Sequence, residues 1–199
     1  MRADPLDLRR ALERIAAPQG GFFSAAQARA AGYSHQAQRY HLQRGAWERV
    51  DRGLYRIAGW PVPEHPDFIR WSLWSRGGGV VSHDSALVAH DLGDAMPARV
   101  HLTVPPGFRS RSDAVVLHRA RLAPKDEAEQ QGFRVTTPIR TLLDVAEAGA
   151  DPDHLAHAVD DALRRGLLTE RQLRAASDDA PPQVRAALSD ALGFLGGGR

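Results

Sequence analysis

The segment 22–57 constrains the fold of this chain more than any other, because it predicts a series of short elements joined by tight turns. Ser24 precedes a run of helix formers that ends at Gly32. Ser34 precedes a second helical run that ends at Gly45. Serine is a favoured first cap of a helix, and glycine is a favoured residue just beyond its end. The segment therefore predicts two short helices separated by a glycine turn.

A β-hairpin is predicted directly after these helices. Residues 47–50 and 54–57 are rich in strand formers, and Asp51-Arg52-Gly53 between them provides a turn. A helix-turn-helix followed by a hairpin is the winged form of a DNA-binding module. Its second helix has the right size to enter a major groove.

The charge distribution agrees with a polyanionic partner at the N-terminal end. Residues 1–60 contain ten arginines and five acidic residues, whereas residues 124–199 contain nine basic and thirteen acidic residues. The formal net charge of +2 is therefore the sum of a basic N-terminal segment and an acidic C-terminal segment. Lys125 is the only lysine, and arginine is the cation better suited to bidentate contacts with phosphate and guanine.

The composition excludes several classes of protein. The chain has no cysteine, so disulfides, thiolate zinc sites and cysteine nucleophiles are excluded. No apolar run approaches the roughly 18 residues that cross a bilayer, and the N-terminus lacks the core of a signal peptide. We expect a cytoplasmic protein without a membrane partner.

We predict two domains, at 1–60 and 61–199. The first contains a helix at Pro5–Ala16 and the winged segment, and the linker is Gly59-Trp60-Pro61-Val62-Pro63. The overall fold class is α+β: an N-terminal winged helix-turn-helix, followed by an α+β domain with a small sheet and a helical C-terminal end. In the second domain we expect strands at 100–104, 114–118 and 135–137, and helices at 67–75, 82–92, 152–165, 169–176 and 181–194. A further helix is expected to begin at Pro138 and to contain Leu142, Leu143 and Val145.

Helical spacing predicts which side chains of the second winged-module helix face DNA. Tyr33, Ala37 and Leu42 offer apolar contacts to the module, with Gln38 and His41 near that side. The outer face then carries donors and acceptors that suit base edges, flanked by residues that suit phosphates. These are His35, Gln36, Arg39, Tyr40 and Gln43, with Ser34 and Arg44 at the ends.

The hairpin adds Arg49, Arg52 and Arg56 as candidates for contact with the DNA backbone or minor groove. Two alternatives stay open. The outer face is also consistent with a solvated polar helix surface, and winged modules also serve as protein-interaction domains, although DNA binding is favoured over both.

Nothing in the sequence predicts a metal, a cofactor or an enzyme. His83, His90, His101 and His118 are spread over separate elements. His154, three residues before His157 on a helix with nearby aspartates, is explained by an acidic solvated face. A metal site needs ligands that converge.

The run Ser82-His83-Asp84-Ser85 does not predict a catalytic triad either. Neighbouring residues of one helix cannot form the chain of hydrogen bonds that a triad needs. We interpret Ser82 as a helix cap.

Six stretches resemble, in order, the AbiEi family of type IV antitoxins, which are described as transcriptional regulators of viral-defence systems. They are FFSAAQARAAGYS, RGAWERVDRGLYRI, VVSHDSALVAHDLGD, VHLTVPPG, VTTPIRTLLDVAEAG and AVDDALRRGLLTERQL, and they span about residues 20–175. The sequence departs from the family at Gln38, where relatives often carry an apolar residue.

The resemblance implies a division of labour. The winged domain would bind double-stranded DNA at inverted repeats upstream of its own operon and repress it. The C-terminal domain would counteract a cognate nucleotidyltransferase-like toxin. Family DNA contacts match residues 34–44 and 49–56 here. Arg140, Thr141 and Asp144 lie in the strongest motif, but a helix start that these residues cap and bury explains them better than an antitoxic contact does.

Two other interpretations stay open. The chain is also consistent with a stand-alone transcriptional regulator whose C-terminal domain senses a ligand or dimerises. Similar N-terminal regions occur fused to an endonuclease domain resembling very-short-patch repair nucleases, so a truncated relative of that group is the third interpretation. The chain ends at Arg199, where such a nuclease would begin, and this favours the antitoxin interpretation.

Overall fold

The computed structural model describes residues 4–196. It divides into two compact units. The first unit extends to Gly77 and includes residues 129–133, whereas the second comprises Gly78–Ala128 and the chain from Arg134 onward. The first unit therefore continues past the domain boundary that we predicted at residue 60.

The first unit begins with helix α1, Pro5–Ala16. Asp4 caps it, because its side chain accepts a hydrogen bond from the Leu6 amide at 2.9 Å. Leu12 and Ala16 are buried on its inner face. The bounds of this helix agree with the sequence prediction.

Helices α2, Ala25–Ala30, and α3, His35–Gln43, form the helix-turn-helix. The Ser24 Oγ accepts from the Gln27 amide at 3.1 Å, and the Gln27 side chain accepts from the Ser24 amide at 2.8 Å. Ser34 caps α3 by accepting from the Ala37 amide at 3.1 Å. Gly32 between the helices has a φ of +100°, and a Cβ there would lie 2.6 Å from Leu8 Cδ2. Backbone conformation and space therefore both favour glycine at this turn.

Three strands complete the winged module: β1, Phe22–Ser24; β2, Trp47–Asp51; and β3, Leu54–Ile57. They form a sheet in the order β1-β3-β2, and both pairings are antiparallel. The register of β2 and β3 shifts between Arg49 and Asp51, immediately before the hairpin turn. The hairpin was predicted from the sequence, but β1 was not, because it is short and directly precedes α2.

An aromatic cluster of Phe23, Tyr33, His41, Trp47 and Tyr55 holds these elements together. The Trp47 ring is 4.8 Å from Phe23 and 4.9 Å from both Tyr33 and His41, centroid to centroid. Its distance to Tyr55 is 6.1 Å. Trp47 thereby joins β2 to β1, to β3 and to α3.

Helix α4, Pro66–Trp74, also belongs to the first unit. Phe68, Ile69 and Trp71 are buried along it. The Phe68 ring lies 5.4 Å from the ring of Phe133, in the 129–133 segment.

The sheet of the second unit has the order β6-β5-β4-β8-β7. Its strands are β4, Val80–Val81; β5, Val100–Val104; β6, Val115–Arg119; β7, Glu127–Gln130; and β8, Phe133–Thr136. The strand β5 is antiparallel to β4 and parallel to β6, and β4 is parallel to β8. Residues 129–133, at the tip of the β7–β8 connection, are those that belong to the first unit. The two-residue strand β4 and the polar strand β7 were not predicted from the sequence.

The helical part of the second unit packs around a core of aliphatic side chains. Leu87, Leu142 and Leu173 are fully buried in it. The helices are α5, His83–His90; α6, Pro138–Glu147; α7, Pro152–Arg164; α8, Glu170–Asp178; and α9, Pro182–Gly196. The α+β class and helical C-terminal end agree with the sequence prediction. Among residues 4–196, no helix is both long enough and apolar enough to cross a bilayer.

Candidate nucleic-acid interface

The outer face of α3 carries the side chains that helical spacing had assigned to it. All seven candidates on and beside this helix are exposed, whereas Ala37, His41 and Leu42 on the opposite side are partly buried. The exposed residues are Ser34, His35, Gln36, Arg39, Tyr40, Gln43 and Arg44. Their contact with DNA stays a prediction, but they are available for it.

Gln38 fixes the rotation of α3. Its side chain is only 3% exposed, and its Nε2 donates to the backbone oxygens of Tyr33 at 3.3 Å and Ala25 at 3.4 Å. The first oxygen precedes α3 and the second lies in α2. An amide at this position therefore joins the two helices of the helix-turn-helix, where an apolar residue offers packing alone.

Tyr40 and Arg44 form a pair at the C-terminal end of the exposed face. The Arg44 guanidinium carbon lies 5.5 Å from the centre of the Tyr40 ring, a cation–π distance. Tyr40 is 52% exposed, so much of its ring is accessible. The pair presents a flat apolar surface beside a positive charge, a combination that suits a sugar–phosphate backbone or a thymine methyl group.

The wing presents Arg49 and Arg52, both exposed. Arg52 lies at the hairpin turn, where its amide donates to the Asp51 carboxylate at 2.6 Å. The other oxygen of Asp51 accepts from Arg70 of α4 at 2.8 Å, so the start of the turn is anchored to a helix of the same unit. The hydrogen bond from Arg70 is the main cause that lowers the pKa of Asp51, and the Arg52 amide adds to it.

Arg56 differs from the other wing arginines because its guanidinium is engaged inside the unit. Its side chain is 14% exposed, donates to the Trp60 carbonyl oxygen and lies 3.6 Å from a Glu48 carboxylate oxygen. It also lies 5.7 Å from the centre of the Phe22 ring. The Arg56 guanidinium is therefore less available to DNA than those of Arg49 and Arg52.

The expectation that the histidines of the second domain lie apart is wrong for three of them. His83, His101 and His118 converge, and each offers a ring nitrogen within 4.8 Å of the others. The sheet order, which the sequence did not predict, brings them together. Burial is the main cause that lowers the pKa of His83 to about 3 and that of His118 to about 4, and the neighbouring imidazoles add to it. These rings are therefore neutral near pH 7.

Ser82 occupies the cap position of α5, but its side chain makes no capping hydrogen bond. The hydroxyl instead accepts from Thr103 Oγ1 at 2.8 Å and lies 3.0 Å from His83 Nδ1. The predicted cap is thus wrong in its contacts, since the serine is directed to the sheet and to the histidine.

The strongest family motif forms a buried helix start, as the structural interpretation predicted. Thr141 is fully buried, and its hydroxyl lies 2.7 Å from that of Thr136. Asp144 accepts from Arg140 Nε at 2.8 Å. Burial raises the pKa of Asp144, and the hydrogen bond and charge of Arg140 oppose that change.

Outside this motif, His154 lies 3.4 Å from Asp94, and His157 is exposed.

The geometry defines a class of protein: a winged helix-turn-helix with an exposed polar recognition face, followed by an α+β domain. Two family models match this arrangement. One, described as "Transcriptional regulator, AbiEi antitoxin", covers residues 10–58, and the other, described as "AbiEi antitoxin C-terminal domain", covers residues 80–194. The second model alone covers more than half of the chain. The chain belongs to the AbiEi antitoxin family.

The fold has a solved counterpart. The crystal structure of the RV2827C protein from Mycobacterium tuberculosis has a similar fold, with a TM-score of 0.57 and 16% sequence identity. The superposition covers 96% of this chain and 79% of the RV2827C chain. At that identity, the likeness concerns the fold alone. No curated protein matches this chain in sequence.

Replacing Gln38 by alanine should lower the free energy of unfolding by about 1–3 kcal/mol, because it removes the bonds to one buried and one partly buried carbonyl group. Gln43→Ala, on the exposed face of the same helix, is the matched control and should change it by less than about 0.5 kcal/mol. Urea unfolding followed by circular dichroism measures both. Equal losses in the two variants would contradict the role assigned to Gln38.

Proposed function

We propose that the protein is a DNA-binding antitoxin that represses its own operon through the winged module and counteracts a cognate nucleotidyltransferase-like toxin through the C-terminal domain. The observation that carries the DNA-binding half is the exposed polar face of α3 beside the exposed wing arginines, in a module matched by a transcriptional-regulator family. Its site of action is the cytoplasm, where the operator is.

The two ends of the α3 face suit different parts of a duplex. In helix-turn-helix proteins, residues near the N-terminus of the recognition helix contact base edges. His35 and Gln36 occupy that position here, and Arg39 follows one turn later, in the middle of the helix. Arginine forms bidentate hydrogen bonds with guanine, and glutamine does so with adenine. Ser34 and the first amides of α3 suit a phosphate, because a helix N-terminus attracts anions.

The wing contributes positive charge for contacts with DNA more than it contributes contacts that distinguish one base sequence from another. Arg49 and Arg52 are exposed on a hairpin whose turn is held by the ion pair of Asp51 and Arg70. A wing fixed in this way carries its arginines to the backbone or minor groove beside the groove that α3 enters. An inverted-repeat operator would engage two copies of the chain, since its symmetry mirrors that of a protein dimer.

The C-terminal half suits a protein partner better than a nucleic acid. Residues 61–199 contain sixteen basic and nineteen acidic residues, so their charge is opposite to that of the winged module. The match of residues 80–194 to an antitoxin C-terminal domain supports toxin neutralisation as the role of this half. We assign no enzymatic step to it.

The protein should bind its own promoter region with an affinity that falls steeply with salt. Each phosphate that an arginine neutralises contributes about −0.9 to the slope of log affinity against log salt concentration. Fluorescence anisotropy with the upstream duplex, at several salt concentrations, measures this slope. An affinity independent of salt, or no binding at low salt, would contradict the proposal.

Arg39→Ala and Arg52→Ala should weaken DNA binding in different ways. Arg39→Ala should lose about 1–3 kcal/mol of discrimination at one base pair, whereas Arg52→Ala should weaken binding to all sequences and reduce the salt slope by about one. Arg171→Ala, at an exposed arginine of α8, is the control and should bind like the unaltered protein. An equal loss by Arg39→Ala on specific and unrelated duplexes would show that Arg39 does not read a base.

Repression and toxin neutralisation should separate in the full-length protein. The antitoxin and the cognate toxin are expressed from independent promoters. Under these conditions the double variant Arg39→Ala, Arg52→Ala should no longer repress an operon reporter. It should still restore growth of cells that express the toxin. Circular dichroism and immunoblotting verify its folding and amount. If the folded variant fails to restore growth, neutralisation depends on the winged module and the proposed division of roles is wrong.

A further inference from the structure

His83, His101 and His118 form a compact group in the second unit, which we call the three-histidine cluster. His101 lies in β5, His118 in β6, and His83 is the first residue of α5. All three are partly buried. Neither the DNA-binding surface nor the aliphatic core of the second unit includes them, so neither role explains them.

The sheet topology places the cluster on one face. The strands β5 and β6 are parallel with Thr103 opposite His118, so His101, two residues before Thr103, has its side chain on the same face as both. The backbone of Ser82 donates to the His101 oxygen at 3.1 Å, which places the start of α5 beside this face. His83 then stacks its ring on His118, with centroids 3.4 Å apart.

The spacing of the ring nitrogens is close to that of a metal site. His118 Nε2 and His101 Nδ1 are 3.2 Å apart. Two imidazole ligands of tetrahedral zinc, each about 2.0–2.1 Å from the ion, have nitrogens roughly 3.3 Å apart. One ring nitrogen from each of the three histidines lies within 4.8 Å of the other two. Because the His83 ring is stacked on that of His118, it has to turn out of this stack before its nitrogen points at an ion shared with the other two.

A hydrogen bond holds one of the three imidazoles in place. The Ser82 hydroxyl, itself fixed by Thr103, lies 3.0 Å from His83 Nδ1 and orients that ring. Metal-binding histidines commonly have such a hydrogen-bond partner. The Asp84 carboxylate interacts electrostatically with His101 and His118, where its negative charge favours a bound cation. Arg140 interacts with His83, where its positive charge has the opposite effect.

The backbone conformation of His83 is unusual for a residue with a side chain, and it sets the direction in which the imidazole points. Its φ is +54°, in the left-handed region that residues with a side chain seldom adopt. Such a conformation costs roughly 1–2 kcal/mol and persists only where the surrounding structure imposes it. Here it directs the first side chain of α5 to the two histidines of the sheet.

We propose that His83, His101 and His118 bind one divalent transition-metal ion, and that Zn²⁺ fits them best. Imidazole is a ligand that zinc prefers, whereas Mg²⁺ and Ca²⁺ require oxygen ligands. Three protein ligands leave a fourth position for water or a group from another molecule. The ion joins α5 to β5 and β6, so it stabilises the second unit by binding the folded state alone.

The test uses full-length protein without an affinity tag, freed of metal by a chelator. Competition with a chromophoric zinc indicator should give one Zn²⁺ per chain. His101→Ala and His118→Ala should each weaken binding at least about 100-fold, the upper end of what loss of a supporting residue alone costs. His157→Ala, at an exposed histidine outside the cluster, should bind as the unaltered protein does. Binding that survives both cluster substitutions, or that is lost in His157→Ala, overturns the proposal.

A second measurement avoids dependence on the folding of the variants. X-ray absorption of the zinc-loaded unaltered protein should show three imidazole ligands, and Zn²⁺ should raise its Tm. His118→Gln, checked for folding by circular dichroism, should not show that rise. No zinc binding by the folded unaltered protein, or a zinc ion with fewer than three imidazole ligands, overturns the proposal.

Discussion

The packing of Trp47 is the constraint on which the winged unit depends. This ring contacts Phe23 of β1, Tyr33 before α3, His41 on α3 and Tyr55 of β3. One buried side chain therefore sets the position of the hairpin relative to α3. A DNA-binding surface composed of a helix and a wing needs that relation to be rigid, because both parts must meet the same duplex in fixed register.

Local signals in the sequence predicted most of the winged module. The caps Ser24 and Ser34, and Gly32 between the helices, act through residues close to them in the chain, so they are visible in sequence alone. Arg56 was not predictable in the same way. Its engagement with Glu48 and the Trp60 carbonyl depends on strand register and on the path of the chain beyond the hairpin.

Long-range pairing explains what sequence analysis missed in the second unit. The strand β4 has two residues, and it lies between β5 and β8, which are distant from each other in the chain. Periodicity cannot reveal so short a strand. The convergence of His101 and His118 follows from the parallel pairing of β5 with β6, so it too was invisible before the sheet order was known.

Gln38 attaches α3 to the rest of the module, whereas the residues on the exposed face of α3 take no part in that attachment. Its bonds to Tyr33 and Ala25 hold the helix from within, and none of them involves the exposed face. Substitutions at His35, Gln36 or Arg39 consequently leave the attachment of the helix intact. Under the function proposed here, related operons in one genome can acquire operators that do not cross-react, because binding preference diverges while the scaffold stays the same.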